Sequence, residues 1–378
     1  MSRLQVRTRA GERKYEIHIG RGLLSNSGNL CRASLRVQAR RVVLVSNQIV
    51  FTLYGAQVVE SLEANGFVVA RWLIGDGERF KSLKTAEKLV HFLHETKLER
   101  HDAVVSLGGG VVGDIAGFAA AIYLRGIPFI QIPTTLLAQI DSSVGGKTGV
   151  NLPGGKNLVG SFHQPSAVLI DIDTLQTLPT RERTAGWCEC VKQGAVSGRK
   201  LFKQTTDYLE TRDPKALLFS TDLEQLITAH CSFKAKIVAQ DEREDPTRSD
   251  SRSRRILNFG HTIGHALESI TNYRRFRHGE AVGYGVLAAA KISKNLGLLD
   301  KSELELLGRA VRLCGPLPAA TDLDADTIIS AIAHDKKQTA GAVQWVLLER
   351  IGRPRIVSGR EITSSLLRRS LRQALQAK

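Results

Sequence analysis

The sequence predicts an α/β domain followed by an α-helical domain. In residues 1–180, β-branched runs such as RVVLVSN (41–47) and DAVVSL (102–107) alternate with segments of helical spacing. This alternation is typical of a parallel sheet covered by helices. After Thr180, strand-like runs nearly vanish and helical patterns dominate. We therefore expect one domain at 1–180 and a second at 181–378.

The first domain is predicted to begin with a β-hairpin in residues 1–20. Its further elements are strands in RVVLVSN, FVVARWLIG, DAVVSL, PFIQIPT and AVLIDI, and helices in IVFTLYGAQVVESLEANG, TAEKLVHFLHETKLE and VVGDIAGFAAAIYLRG. The second domain is predicted to hold helices in LEQLITAHCSFKAKIVAQ, GHTIGHALESI, EAVGYGVLAAAKISKNLG, KSELELLGRAVRLCG and DADTIISAIAHD, with a short strand pair near VQWVLLERIGRPRIV.

Composition narrows the possible functions. The sequence has no run of about 18 apolar residues and its N-terminus has no apolar leader segment, so no membrane partner is expected. Five scattered cysteines predict reduced thiols in the cytoplasm. A net charge of +16 favours an anionic partner. Aromatic residues make up only 6%, and no known nucleic-acid-binding pattern occurs, so small anionic ligands are expected and nucleic acid is not.

A glycine-rich stretch, DSSVGGKTGVN (141–151), looks like the end of a nucleotide-triphosphate loop. That loop requires a glycine five residues before Gly146, and the residue at that position is Asp141. The missing glycine is one that lets backbone N–H groups wrap a phosphate. The sequence therefore excludes a P-loop ATPase.

A second glycine-rich stretch, VVSLGGGVVGDIAGF, places Gly108, Gly110 and Gly113 in a G-x-G-x-x-G pattern between a predicted strand and a predicted helix. This context favours a pyrophosphate bound by backbone amides at a helix N-terminus. The usual fingerprint also has an acidic residue about 20 positions later for the ribose hydroxyls. That region here, IPFIQIPTT, has none. The pattern indicates a dinucleotide site of non-standard layout, or no dinucleotide site.

Histidines cluster in the predicted second domain. His261 and His265 are four residues apart on one helix face, which suits two ligands of one metal, and His278 follows closely. The pattern lacks the glutamate of H-E-x-x-H, which disfavours a metalloprotease. In GWCECVKQG, Glu189 and Lys192 lie side by side on a helix. An oxygen ligand with two or three imidazoles suits Zn²⁺, or Co²⁺ in its place.

Several cations accompany these stretches, and each taken singly fits a solvated surface. Lys147 and Lys156 are notable because they lie in glycine-rich segments, where backbone can approach a ligand closely. The whole set is Arg125, Lys147, Lys156, Lys192, Lys236, Arg254, Lys336 and Lys337.

Together these motifs resemble the 3-dehydroquinate synthases of the sugar phosphate cyclase superfamily. The resemblance covers nearly the whole chain, and DSSVGGKTGVN and NFGHTIGHALE are its most specific parts. Other matching segments, in the family's order, are DGERFKS, LGGGVVGDIAGF, GKNLVGSFHQP, LPTRERTAGWCECVKQGAV, HGEAVGYG and HDKK. The resemblance implies a dehydroquinate synthase-like fold, with an N-terminal Rossmann-like NAD domain and an all-α C-terminal domain for metal and substrate.

The implied reaction converts 3-deoxy-D-arabino-heptulosonate 7-phosphate to 3-dehydroquinate and phosphate, in the shikimate pathway. NAD⁺ transiently oxidises one carbinol, phosphate is eliminated, the ketone is reduced again, and ring opening and an intramolecular aldol step close the carbocycle. The alternatives are a sister cyclase making valiolone-type products and a metal-dependent alcohol dehydrogenase of the same broad fold. A basic nucleic-acid-binding protein is the alternative from another class.

The resemblance also implies roles for individual residues. The metal ligands are Glu189, His261 and His278, and His265 contacts substrate or handles a proton. Asp141, Asn258 and Lys192 surround the substrate hydroxyls, Lys236 and Arg254 face the carboxylate end, and Lys147, Asn157, Arg125 and one of Lys336 and Lys337 face the phosphate. The NAD positions are Asn47, Glu78, Lys81, Gly109, Gly110, Val111, Asp114, Thr134, Thr135, Lys156, Asn157, Thr177 and Glu182.

Two further expectations follow from the resemblance. The position of Arg125 reaches the neighbouring subunit's site in the family, which implies a homodimer. Glu78, or a polar group after VVLVSN, could replace the missing ribose carboxylate. The sequence departs from the family at Trp187, Cys188 and Gln193, and its linker DEREDPTRSDSRSRRILNFG is longer than usual.

Overall fold

The computed structural model describes residues 1–7, 14–211, 221–338 and 343–376, without the side chains of 334–338. The chain divides into two compact units. Unit 1 comprises Met1–Leu178 and Leu218–Ala239, and unit 2 comprises Pro179–Leu217 and Gln240–Lys378.

The strands of unit 1 form a sheet and a separate hairpin. They are β1 (Ser2–Arg7), β2 (Lys14–Gly20), β3 (Arg41–Asn47), β4 (Val68–Ile74), β5 (Ala103–Gly108), β6 (Phe129–Pro133), β7 (Lys147–Leu152), β8 (Gly155–Phe162) and β9 (Ala167–Asp171). The seven-stranded sheet has the order β1-β2-β9-β6-β5-β3-β4. Strands β1 and β2 pair antiparallel and the other neighbours pair parallel, while β7 and β8 form the hairpin.

Both units of the described chain contain α-helices. They are α1 (Ser27–Ser34), α2 (Gln48–Val50), α3 (Ala56–Ala64), α4 (Leu83–Glu95), α5 (Gly110–Ile122), α6 (Thr180–Ser197), α7 (Arg199–Leu209), α8 (Thr221–Gln240), α9 (His261–Ile270), α10 (His278–Asn295), α11 (Lys301–Leu313), α12 (Ala325–Gln338) and α13 (Ser364–Leu375). Shorter 3₁₀ segments are Leu23–Asn26, Glu78–Phe80, Tyr123–Arg125, Ile172–Gln176, Arg254–Asn258 and Gly359–Glu361, and π-helical turns are Phe51–Gly55 and Ala138–Ser142.

The central strand β3 shows why its sequence lacks the alternation of a half-exposed strand. Val43 and Val45 pack into one apolar cluster with α4 and α5, while Val42 and Leu44 pack into another with α1 and α3. Both faces of a mostly parallel sheet are therefore covered, which requires a continuous apolar run. The α/β architecture predicted for this part of the chain is confirmed.

Unit 2 is built around α10, which carries the glycines of HGEAVGYG. A Cβ added at Gly279 would lie 1.9 Å from the Ala185 carbonyl oxygen, and one at Gly285 would lie 1.9 Å from that of Gly260. These glycines therefore let α6 and the start of α9 approach the helix closely. Two strands, β10 (Gln344–Arg350) and β11 (Arg353–Ser358), form a hairpin where a short strand pair was predicted.

The break between units after Leu178 lies close to the predicted boundary at residue 180, but α8 is an exception. Residues 221–239 of this helix group with unit 1, where Cys231 Sγ lies 3.3 Å from the Gln139 carbonyl oxygen. The boundary predicted at residue 180 places this whole helix in the second domain. None of the described helices is long and apolar enough to cross a membrane.

Candidate active site

Three histidines and one glutamate meet inside unit 2. His261 opens α9, His265 lies one turn later, His278 opens α10, and Glu189 lies in the middle of α6. The potential ligand atoms of the three histidines lie within 4.8 Å of one another. Glu189 Oε1 lies 3.8 Å from His261 Nε2 and 3.5 Å from His278 Nε2. The structure thus brings together the four residues that the sequence singled out here.

The Glu189 carboxylate is fully buried, and neither oxygen makes a hydrogen bond with a described residue. Lys192 Nζ lies 2.6 Å from Oε2, close enough for an ion pair although the contact lacks hydrogen-bond geometry. A buried carboxylate is costly unless cations compensate it. A divalent cation between this carboxylate and the imidazoles would supply that compensation.

The two histidines nearest Glu189 are each engaged at the other ring nitrogen. His278 Nδ1 lies 3.1 Å from Glu268 Oε2, and His261 Nδ1 lies 3.4 Å from the Phe259 carbonyl oxygen. Such partners orient an imidazole and leave Nε2 as the ligand atom. The donor set therefore fits a Zn²⁺ or Co²⁺ site.

Other predicted residues of unit 2 lie on the segment that leads to α9. The Arg254 side chain is buried, and its Nη1 donates to the Glu242 carbonyl oxygen at 2.9 Å. Asn258 is exposed, and its Nδ2 donates to Glu244 Oε1 at 3.1 Å. Glu182, predicted to bind NAD, lies on α6 and forms an ion pair with Arg277 at 2.9 Å.

Lys336 and Lys337, the two lysines of HDKK, belong to α12. Their backbone is described, but their side chains fall outside the described part of the structure. The prediction that one of them faces the phosphate therefore stays a prediction.

The glycine-rich turn of unit 1 has the form expected of a pyrophosphate site. Strand β5 ends at Gly108, Gly109 caps α5, and the helix begins at Gly110 without a side-chain cap. Its first amides, including that of Val111, are thus available to an anion. Thr134 N donates to the Gly108 carbonyl at 3.0 Å, which holds Thr134 and Thr135 beside this turn.

Polar residues predicted to bind NAD form a cluster in the same unit. Lys81 Nζ lies 2.5 Å from both Asp114 Oδ2 and Asn157 Oδ1. Asn151, which the sequence did not single out, connects Asn157 to Glu78: its Oδ1 accepts from Asn157 N at 2.9 Å and its Nδ2 donates to Glu78 Oε1 at 2.8 Å. Burial raises the pKa of the Asp114 carboxyl, and the charge of Lys81 opposes that rise.

Two more residues that were predicted to bind NAD make contacts in unit 1. Lys156 Nζ is 3.6 Å from Glu78 Oε1. Thr177 Oγ1 contacts the hydroxyl of Tyr54. Hydrogen bonds and ion pairs therefore link five residues that were predicted to bind NAD, namely Glu78, Lys81, Asp114, Lys156 and Asn157.

An acidic residue that the sequence search missed lies at the carboxyl edge of the sheet. Asn47 ends β3, and its Nδ2 donates to Asp76 Oδ1 at 3.0 Å, just after the end of β4. The usual fingerprint predicts this acid after the glycine turn. Strands β3 and β4 precede β5 in sequence, yet in the sheet β3 pairs with β5 and β4 pairs with β3, so the acid comes earlier in the chain. The signal was Asp-Gly directly after FVVARWLIG.

A second missed residue is Lys234. Its Nζ lies 2.7 Å from Asp141 Oδ1, in the π-helical turn Ala138–Ser142, and the Lys234 side chain is buried. Lys236, which the sequence singled out instead, is exposed and lies two positions further along α8. Positions two apart on a helix point in different directions, so only one of them can lie on the buried stripe. Cys231, one turn before Lys234, marks that stripe.

The remaining cations predicted to face a phosphate, Lys147 and Arg125, are both exposed. Lys147 opens β7 directly after Gly145 and Gly146, whose φ values are 104° and 65°. Arg125 has a φ of 66°, and its side chain makes no hydrogen bond or ion pair with another described residue. A left-handed backbone is uncommon for a non-glycine residue and often marks a functional position.

Fold and sites together define a class of enzyme that joins an α/β domain with a nucleotide-binding turn to a helical domain with a histidine and carboxylate metal centre. Family models described as the 3-dehydroquinate synthase N-terminal and C-terminal parts match residues 71–185 and 186–338. The chain belongs to the 3-dehydroquinate synthase family, which confirms the family and the fold class predicted from the sequence.

Individual relatives agree with this assignment. The 3-dehydroquinate synthase of Pelotomaculum thermopropionicum is 44% identical over 358 residues, which is 94% of this chain and 93% of the relative. The solved 2-epi-5-epi-valiolone synthase of Streptomyces hygroscopicus, with NAD⁺ and Zn²⁺ bound, has a TM-score of 0.85 at 26% identity, covering 97% of this chain and 98% of its own. The solved 2-deoxy-scyllo-inosose synthase, complexed with carbaglucose-6-phosphate, NAD⁺ and Co²⁺, has a TM-score of 0.84 at 26% identity, covering 98% and 100%.

Proposed function

We infer that the protein is a 3-dehydroquinate synthase, which converts 3-deoxy-D-arabino-heptulosonate 7-phosphate to 3-dehydroquinate and phosphate. The observation that carries this inference is the buried Glu189 carboxylate, which faces Nε2 of both His261 and His278 in a chain of this family. The family relatives that match nearly the whole chain bear this name. The reaction belongs to the shikimate pathway of aromatic amino acid biosynthesis.

Glu189, His261 and His278 would hold one Zn²⁺ or Co²⁺ ion. The unbonded, fully buried oxygens of Glu189 and the acceptors at Nδ1 of both histidines support this assignment. When bound, such an ion polarises a substrate carbinol oxygen as a Lewis acid. His265 lies one helical turn from His261, with the two ring centroids 5.4 Å apart, and would accept or return a proton at that oxygen.

The glycine turn before α5 would bind the pyrophosphate of NAD through the amides of Gly110 and Val111. Asn47 and Asp76 are positioned for the ribose hydroxyls, because both lie at the carboxyl edge of neighbouring strands. When bound, the cofactor accepts a hydride and later returns it to the same substrate molecule. The Lys81, Asp114 and Asn157 cluster orients the nicotinamide end or the substrate beside it.

The chain's own polar groups would bind and orient the substrate. Asp141 and Lys192 suit its hydroxyl groups, and the buried Arg254 suits its carboxylate as a bidentate donor. Lys147 and Arg125 would be the cations that face the phosphate, and Asn157 would face it with them. Holding the phosphate as a leaving group requires positive charge close to its oxygens.

We propose Lys234 for the role near the substrate that the sequence assigned to Lys236. Lys234 is buried and already contacts Asp141, whereas Lys236 is exposed. A lysine fixed beside an acidic group has lost its side-chain freedom before substrate arrives, which favours a functional role.

We also propose that the enzyme is a cytoplasmic homodimer in which Arg125 acts in the partner's site. The exposed, strained backbone at Leu124 and Arg125 supports this, because the guanidinium has no partner among the described residues of its own chain. All five cysteines are buried and none forms a disulfide among the described residues, which fits a reducing compartment.

The direct test is turnover with Zn²⁺ and NAD⁺ on two substrates. We expect the seven-carbon ketose phosphate with a carboxylate to yield 3-dehydroquinate, identified by mass spectrometry. A matched seven-carbon ketose phosphate without the carboxylate should react at least about a hundredfold more slowly, because Arg254 would lose its partner. The reverse preference would assign the chain to the valiolone-type cyclases.

A further inference from the structure

We propose that the His163 ring is a positioning group for Arg125, beside Lys147, an inference that rests on the proposed role of both cations at the phosphate. His163 follows Phe162, the last residue of β8, and is buried. Its ring contacts the Ile127 carbonyl oxygen, near Arg125. Its backbone N–H donates to the Gly146 carbonyl oxygen, next to Lys147.

The ring contact fixes the turn that carries Arg125. His163 Nε2 lies 2.9 Å from the carbonyl oxygen of Ile127, two residues after Arg125. The turn is strained, since Leu124 and Arg125 have φ values of 48° and 66°. Such backbone persists only where neighbouring structure holds it in place. A buried N–H donor on the Ile127 carbonyl provides that hold.

The backbone contact fixes the segment that carries Lys147. His163 N donates to the Gly146 carbonyl oxygen at 2.7 Å, one residue before Lys147. Phe162 and Lys147 are register partners in the β7–β8 hairpin. Gly146 has a φ of 65°, and a Cβ there would lie 2.7 Å from the Gln164 side chain. His163 therefore contacts both the turn that carries Arg125 and the segment that carries Lys147.

The consequence is a specific effect on phosphate recognition. Arg125 and Lys147 have long side chains, and their charge is useful only where their backbone is held in place. Loss of the His163 ring would release the Arg125 turn but leave the nucleotide turn at Gly109 and the metal centre unchanged. Phosphate affinity should fall, whereas NAD affinity and metal content should not.

The test measures inhibition by inorganic phosphate, the Kd for NAD⁺ and the metal content of the full-length enzyme. We expect His163→Ala to raise the phosphate inhibition constant and the KM about tenfold, with NAD⁺ binding and metal content unchanged. His163→Gln should recover most of the loss, because its amide N–H can donate to the Ile127 carbonyl. His18→Ala is the matched control, since His18 is a buried histidine on β2 whose ring lies 3.4 Å from Glu16.

The matched control separates positioning from stability: His18→Ala should lower the melting temperature without changing phosphate inhibition.

The double variant of His163→Ala and Arg125→Lys is a second test, because a lysine needs less exact placement than a planar guanidinium. His163→Ala should then weaken phosphate binding less than about threefold. Where His163→Ala fails to fold, His163→Asn takes its place, since its shorter amide does not reach the Ile127 carbonyl.

Each outcome decides between the two proposals. If Arg125→Ala and Lys147→Ala leave phosphate inhibition unchanged, the proposed phosphate site fails and this inference fails with it. If they weaken inhibition but the His163 variants do not, only this inference fails. Equal losses for phosphate, NAD⁺ and metal in His163→Ala, or an undiminished loss in the Arg125→Lys background, would make His163 a general structural residue.

Discussion

Lys234 Nζ lies 2.7 Å from Asp141 Oδ1, whereas Lys236, two residues further along α8, is exposed. Both lysines occur in one short stretch, SFKAKIVAQDE, and share the same charge and helix. Their different surroundings make them a matched pair of variants.

We expect Lys234→Met to lower kcat/KM by at least about a hundredfold, because Asp141 would lose its buried cationic partner. Lys236→Met should stay within about threefold of the unmodified enzyme, as exposed charges contribute little. Steady-state kinetics on the two variants decides the assignment, with circular dichroism as the folding control. The opposite order of losses would restore Lys236 to the substrate-binding role.

The metal centre predicts a split among its four side chains. Glu189→Ala, His261→Ala and His278→Ala should each lose bound metal, since each removes one proposed ligand. His265→Ala should keep the metal and lose turnover. Metal analysis of the purified variants after dialysis measures this directly. Metal loss in the His265 variant together with retention in the His278 variant would exchange their roles.

A shared active site predicts complementation between subunits. Arg125→Ala and Lys147→Ala homodimers should both be nearly inactive, because each lacks one phosphate-facing charge at every site. In a mixed dimer, one site carries both lesions and the other carries neither, so mixing should restore part of the activity. Native mass spectrometry confirms that subunits exchange. Exchange without recovered activity would mean that Arg125 acts within its own chain or not at all.

The thiols predict a test of the core. All five cysteines are buried, and burial raises the pKa of Cys31 and of Cys231 to about 12. Thiols with a raised pKa hold almost no reactive thiolate near pH 8. A disulfide reagent should therefore titrate fewer than about one thiol per native chain, and all five in denaturant. Rapid labelling of several thiols in the native protein would contradict the packing described here.

Sequence patterns predicted the sheet strands well, because each central strand is buried on both faces and forms a continuous apolar run. They did not predict the β7–β8 hairpin, where glycines such as Gly149 and Gly160 break the apolar alternation on which strand prediction depends. Nor did they assign α8 to unit 1, since a helix shows its apolar face in sequence but not the partner it packs against.

The site residues divide in the same way. His261, His265, His278 and Glu189 could be found because their spacing on helices limits where the side chains point. Asp76 was missed because strand order, not sequence distance, brings it to the edge beside Asn47. Strand order is set by long-range pairing, which a local pattern does not contain.

We expect the enzyme to oxidise and reduce its substrate within one turnover while phosphate is eliminated. The most direct measurement follows phosphate release and nicotinamide absorbance together, with 3-deoxy-D-arabino-heptulosonate 7-phosphate, NAD⁺ and Zn²⁺ present. We predict many equivalents of phosphate per enzyme chain with no net rise in NADH, because the hydride returns to the same molecule. Stoichiometric NADH alongside product, or NADH without phosphate, would show a dehydrogenase and contradict this account.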